Sequence, residues 1–237
     1  MATLSIVATP IGNLEDITLR ALSTLRSADV IACEDTRHTL KLLSHYEIQK
    51  PLIPCYAYEE EKGVGRIVAL LDEGKNVAYC SDAGTPALSD PGALAARRAR
   101  EAGHRVEPIP GPSAFAALVS AAGFGGRAVL FEGFLSPKPG RRKSRVTELM
   151  AREESFVVYE SPHRIAKLLA CVAEIDPARQ VCVGREMTKI YEEFLVLPAS
   201  EALEHFSGPE EPRGEFAVLV AGGYFENIIS ASCDYYL

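Results

Sequence analysis

The chain lacks a basic excess: 25 Lys and Arg stand against 32 Asp and Glu, for a formal net charge of -7. A protein that coats nucleic acid indiscriminately carries the opposite balance, which excludes broad electrostatic binding. It lacks a long apolar run as well. The longest uncharged stretch, Pro108–Gly126, is interrupted by Pro110, Gly111, Pro112 and Gly123 and consists mostly of small residues, so no membrane span is expected. Residues 1–8 carry no basic leader, and a cytoplasmic location is the expectation. None of the six cysteines (Cys33, Cys55, Cys80, Cys171, Cys182, Cys233) belongs to a C-x-x-C pair, and the five histidines lack ligand spacing. The cysteines read as buried free thiols in a reducing compartment, and no metal is expected. No G-x-x-x-x-G-K-[ST] phosphate loop exists. Gly123–Ala128 fits G-x-G-x-x-A, but it precedes a strand where a dinucleotide fingerprint must follow one and open a helix.

What is present is an ordinary globular composition, 47% apolar and 24% charged. Its 237 residues suffice for one large domain or two small ones. The first half alternates short β-like runs with helical patterns. Leu4–Ala8 precedes a helix over Ile17–Leu25, and Val30–Cys33 precedes one over Thr39–His45. Leu52–Cys55 pairs with Gly65–Leu71, Val77–Cys80 with Gly92–Ala102, and Val106–Ile109 with Ser113–Ala121. Such alternation implies βαβ units and a mostly parallel sheet. Gly74 and Gly103 stand where helices end.

The pattern breaks at Gly123–Gly126, read as a Gly-rich linker between an α/β domain over 1–122 and an α+β domain over 127–237. In the second domain, strands are expected at Val129–Phe134, Phe156–Glu160, Val181–Arg185, Phe194–Leu197 and Phe216–Ala221. Helices are expected at Val146–Arg152 and Ile165–Ala173. Strands outnumber helices, which implies mixed pairing.

The loops that follow strands carry the chemistry, because ligands of open α/β sheets settle beyond the carboxyl ends of the strands. After the first strand, Thr9–Asp16 combines a Pro-Gly turn with Asn13 and Asp16, either of which suits a helix cap. After the fourth, Ser81–Gly92 holds two Pro, two Gly and two Asp, far more than a connection needs. Its carboxylates and amides suit a ribose, an amine or a sulfonium. Pro110–Ala114 places Ser113 near a helix start, where it caps or binds. Glu34–His38 closes a strand with both signs of charge. Tyr159–Arg164 and Arg185–Glu193 follow strands of the second domain in the same way. Lys138, Arg141, Arg142, Lys143 and Arg145 share one loop without an acid, a candidate RNA-phosphate contact.

Val7–Asp16, Glu34–Arg37, Ser81–Pro86, Ser89–Gly92, Pro110–Ser113, Tyr159–Arg164 and Glu186–Lys189 occur in one order. This set resembles the ribosomal RNA small-subunit methyltransferase I family of the tetrapyrrole-methylase superfamily, from residue 4 to about residue 222. The resemblance implies a two-domain tetrapyrrole-methylase-like fold with S-adenosylmethionine between the domains, and a homodimer. The implied reaction is 2′-O-methylation of a cytidine ribose in the decoding centre of 16S rRNA within the 30S subunit. By the same analogy, cofactor contacts fall at Thr9, Pro10, Asp82, Ala83, Gly84, Thr85, Ser113, Ala114, Tyr159, Met187 and Phe216. The chain departs from the family at Tyr56–Glu61, where a His- and Asn-containing stretch is common, and in its tail after Gly223.

A ribose hydroxyl attacks only as its proton leaves, so a base near the methyl is expected. Glu15, Asp16, Asp35, His38 and Glu192 are available, while Arg37, Arg164 and Lys189 suit phosphate or developing charge. Glu34, Asp35, Arg37 and Lys189 are the catalytic candidates, with the Glu34–Arg37 segment preferred. The alternatives are a small-molecule methylase acting on a tetrapyrrole and a non-catalytic RNA- or ribosome-binding module. A tetrapyrrole enzyme would carry G-x-G-P-G-D and G-G-D-P loops, which this chain replaces with residues 8–13 and 81–86.

Overall fold

Five short apolar runs of the first half pair side by side in the computed structural model, which describes residues 1–88, 92–125, 127–208 and 212–223. They are β1 (Thr3–Val7), β2 (Val30–Cys33), β3 (Leu52–Pro54), β4 (Val77–Cys80) and β5 (Arg105–Ile109). All pairs are parallel, in the order β3-β2-β4-β1-β5. Alternate side chains face opposite sides of a sheet. Val7, Ile31, Ala78, Cys80 and Ile109 therefore pack with α1 (Leu19–Ser27) and α2 (Thr36–His45). Leu4, Ala32, Val77 and Tyr79 pack with α3 (Glu60–Asp72) and α4 (Ala93–Glu101) on the other face. The register puts Pro54, Cys33, Cys80, Val7 and Ile109, the last residue of each strand, in one row. Five loops thus leave the sheet along a single edge.

The second half builds β6 (Val129–Phe134), β7 (Ser155–Glu160), β8 (Gln180–Arg185), β9 (Glu193–Pro198) and β10 (Phe216–Val220). Their order is β6-β7-β10-β8-β9, with β6 and β7 parallel and the rest antiparallel. The expected mixed sheet is observed. Its core face carries Phe156, Val158, Val181, Val183, Phe216, Val218 and Val220. Against it pack α6 (Pro139–Met150), α7 (Ile165–Ile175) and α8 (Ala199–Phe206).

The chain divides into two compact units, Met1–Ser113 and Ala114–Leu237. The division precedes the expected linker at 123–126 because α5 (Ala114–Ala121) packs on β8 and β10 of the second unit. Leu118 lies so near Gly184 that a Cβ there would sit 2.9 Å from it.

Two helices depart from expectation. The basic stretch around residues 138–145 is not a loop: Pro139 starts α6, where its missing N–H costs nothing. Arg142, Val146, Leu149 and Met150 fall on one helical stripe and are all buried. Helix α8 is the second, absent from the expected elements; Ala199, Ala202 and Phe206 form its buried face. Among the described residues no helix is long and apolar enough to cross a membrane. Cys33, Cys55, Cys80 and Cys182 are buried free thiols and Cys171 is partly buried, while Cys233 lies outside the described residues. Burial pushes the Cys55 and Cys182 thiols up to about 11.

Candidate active site

The loops after β1, β4 and β5 are stitched together at the sheet edge. Thr9 and Gly84 exchange backbone hydrogen bonds of 2.9 and 3.0 Å. The buried Thr9 hydroxyl donates to the Ser81 carbonyl at 3.2 Å, and Thr85 Oγ1 donates to the Pro112 carbonyl at 3.0 Å. Gly111 passes so close to Ala8 that a Cβ would meet the alanine methyl at 3.1 Å. Thr9, Pro10 and Gly84 are buried, Asp82, Thr85, Ser113 and Ala114 partly so, and Ala83 is exposed. Of the loop Ser81–Gly92, residues Ser89, Asp90 and Pro91 lie outside the described set.

The loop after β2 joins the same edge. The Asp35 N–H donates to Asp82 Oδ1 at 3.0 Å. Asp35 is also the N-cap of α2, accepting from the Arg37 N–H at 2.8 Å. Its second oxygen accepts from Arg37 Nη2 at 2.7 Å. These side-chain and backbone hydrogen bonds from Arg37 lower the Asp35 carboxyl to about 2. Glu34 behaves oppositely: partial burial, then the charges of Asp82 and Asp35, raise its carboxyl above the ordinary range. Their surroundings thus widen the intrinsic gap in proton affinity between these neighbouring acids. Asn13 caps only the turn Leu14–Asp16, and Thr18, not Asp16, caps α1. Glu15, Asp16 and His38 are exposed.

In the second unit, Glu160 at the end of β7 is fully buried and pairs with Arg164 at 2.7 Å. Tyr159 is partly buried, edge-on to Phe131 and Phe134. Lys189 Nζ donates to Glu186 Oε1 and Glu215 Oε2, each at 2.8 Å. Burial opposes the Lys189 charge, but these carboxylates outweigh it and its proton is held more tightly than usual. Met187, between Glu186 and Lys189 in sequence, is buried against Gly184. Glu192 is exposed and accepts from the Thr188 N–H. Phe216 sends its ring into the core against Phe206, with centroids 5.4 Å apart, so only its backbone is left for a ligand.

The expected phosphate cluster requires correction. Arg142 is 4% exposed because it occupies the apolar stripe of α6. Arg145 binds Glu132 with two hydrogen bonds, 2.8 and 2.7 Å, and Lys143 pairs with Glu174. Lys138 and Arg141 are exposed, and neither has an ion-pair partner among the described residues. Nor, among those residues, do three His, Cys, Asp or Glu side chains converge for a metal ion.

Residues 3–203 match the model of the tetrapyrrole (corrin/porphyrin) methylases. The chain is 48% identical over 219 residues to the ribosomal RNA small subunit methyltransferase I of Borrelia garinii subsp. bavariensis, covering 92% of this chain and 98% of the relative. It is 44% identical over 222 residues to that of Thermotoga maritima, covering 94% and 99%. Among solved structures, the uroporphyrin-III-C-methyltransferase of Thermus thermophilus superposes with a TM-score of 0.67 at 20% identity, covering 98% of each chain. A diphthine synthase gives 0.67 at 14%, covering 93% of this chain and 90% of that one. Both likenesses concern the fold. The chain belongs to the tetrapyrrole methylases and, within them, to the ribosomal RNA small subunit methyltransferase I family. It is a methyltransferase.

Proposed function

We propose that the chain methylates a cytidine ribose 2′-oxygen of 16S rRNA in the 30S subunit, with S-adenosylmethionine as methyl donor. The observation that carries this reading is the near full-length similarity to the small-subunit rRNA methyltransferases. The donor set suits the cofactor: the Asp82 carboxylate, the Ser113 hydroxyl and the Ala83 amide suit a ribose and an amine, while Gly84, its backbone bonded to Thr9, holds the loop in place. Thr9, Pro10 and Thr85 would complete the first-unit contacts, and Ala114, Tyr159, Met187 and the Phe216 backbone would be those of the second. When bound, S-adenosylmethionine supplies a methyl already made electrophilic by the sulfonium.

The chain's own residues then position the acceptor and remove its proton. Glu34 is the better base, since its carboxyl has a raised proton affinity, whereas Asp35 is committed to Arg37 and the α2 cap. The Arg37 guanidinium is 87% exposed, which suits a phosphate. Lys189, neutralised by two carboxylates, fixes the loop carrying Met187 in place of moving a proton. A cytoplasmic homodimer is part of the reading, supported by the family resemblance, and sedimentation checks the dimer.

Incubation with labelled S-adenosylmethionine and unmethylated 30S subunits, naked 16S rRNA or a tetrapyrrole precursor tests the reading. Mass spectrometry of digested RNA is expected to find the methyl on a cytidine ribose. Label on the tetrapyrrole alone overturns it.

A further inference from the structure

The segment after β3 holds an exposed pair of rings that the methyl-transfer chemistry leaves unused. Tyr56 and Tyr58 flank the first residue of a single 3-10 turn, Ala57–Glu59, and their rings stack on one another. The centroids are 5.2 Å apart and the planes 9° from parallel. Tyr58 is 81% exposed and Tyr56 36%. Stacking covers one face of Tyr58; among the described residues no other ring covers its outer face. A large aromatic surface facing water at the ligand-binding edge of a parallel sheet is a platform in want of a flat partner.

Its surroundings narrow that partner. The Cys55 N–H donates to the Cys33 carbonyl at 2.8 Å, so segments 34–37 and 56–58 leave adjacent strands at the same edge. Arg37, in the first turn of α2, belongs to the first of these two segments and its side chain is exposed. Glu59 and Glu61 are balanced by Lys62 at 3.4 Å and Arg98 at 3.6 Å, which leaves Glu60 as the remaining acid of this segment. The acid disfavours a phosphate over the rings, while Arg37 favours one beside them. An unpaired nucleotide satisfies both: its base lies on the ring and its phosphate reaches toward the guanidinium.

We infer that an unpaired base of the RNA substrate stacks on the outer face of Tyr58, with Tyr56 as the second layer of the stack. This rests on the rRNA-methylating reading and assigns the Tyr56–Tyr58 pair the role of holding the substrate strand. Base–aromatic stacking is sequence-tolerant, so the platform positions the strand and leaves the choice of nucleotide to other contacts.

The test compares the unaltered chain with Tyr58→Ala, Tyr58→Phe and Arg37→Ala. The readouts are binding to unmethylated 30S subunits across a salt series, S-adenosylmethionine binding by calorimetry, and thermal unfolding. Tyr58→Ala is expected to weaken 30S binding roughly tenfold to a hundredfold with its salt slope unchanged. Tyr58→Phe is expected to bind as the unaltered chain does. Arg37→Ala is expected to lower the salt slope by about one. S-adenosylmethionine affinity and unfolding temperature stay constant for both Tyr58 variants. Ultraviolet crosslinking of the complex is expected to attach a nucleotide to the peptide that contains Tyr58. Unchanged 30S binding by Tyr58→Ala, a Phe variant as weak as the Ala variant, or a crosslink to a ribosomal protein each overturns the platform. Failure of the unaltered chain to methylate 30S subunits overturns the underlying reading instead, a separate and distinguishable result.

Discussion

The Asp35 backbone N–H donates to the Asp82 carboxylate at 3.0 Å, joining loops that leave β2 and β4 at the same row of the sheet. Partial burial raises the Glu34 carboxyl and the same Asp82 charge raises it further, so one side chain serves both as a tether and as a field source. These two roles can be separated.

Asp82→Asn keeps an oxygen acceptor for the Asp35 N–H but removes the charge. With one negative neighbour gone, Glu34 deprotonates more easily, and the acid limb of the kcat/KM profile is expected to shift to lower pH. Asp82→Ala, which also cuts the tether, is expected to lower turnover further. Initial rates on 30S subunits from pH 5 to 9 check both.

Asp35 is held at about 2 against an ordinary 3.8. A depressed carboxyl contributes stability that is complete above the unfolded value and vanishes as pH falls through the folded one. The stability difference between the unaltered chain and Asp35→Asn is therefore expected to be flat above about pH 5 and to shrink toward pH 2. Urea unfolding at several pH values measures it.

Arg164→Ala strands the buried Glu160 carboxylate, whose Oε2 already has no hydrogen-bond partner among the described residues. Breaking a buried pair from one side costs about 3–5 kcal/mol. Adding Glu160→Gln is expected to recover part of that loss, because the orphan then carries no charge. Chemical denaturation of the single and double variants gives the comparison.

Gly214→Ala tests the loop that fixes Lys189. Gly214 has φ of +98°, a region that L residues avoid, and a Cβ there would collide with Glu186. Displacing Glu186 removes its bond to Lys189, and the variant is expected to lose about 1–3 kcal/mol and to bind S-adenosylmethionine more weakly. Calorimetry and thermal unfolding report the two effects.

Lys138→Ala and Arg141→Ala are each expected to reduce the salt slope of RNA binding by about one, leaving stability intact. Arg142→Ala should do the reverse, lowering the unfolding temperature with no change in slope, since its stem packs on the core side of α6.

The strand runs were legible because each is short, apolar and closed by a turn, and the loops that follow them stand out by their Pro, Gly and Asp content. Only the second half of α6 was legible, as the helix expected from Val146; its first turns were not, because Gly140 and four basic residues hide a stripe whose first member, Arg142, is charged. Helix α8 begins directly at the end of β9 with no polar cap, so its start carries no signal. The Glu34–Arg37 segment stood out by composition, but which acid caps α2 and which retains its proton depends on Asp82, 47 residues away in sequence from Asp35. The stacking of Tyr56 on Tyr58 accompanies a one-turn helix that no periodicity announces.

The reciprocal backbone bonds between Thr9 and Gly84 have a kinetic corollary. Neither amide can exchange with solvent until both strands of that bridge part, so the two protons are expected to share one exchange rate. A ligand that seats on either loop slows the clock of the other, and residues 75 positions apart in the chain report on occupancy as one sensor.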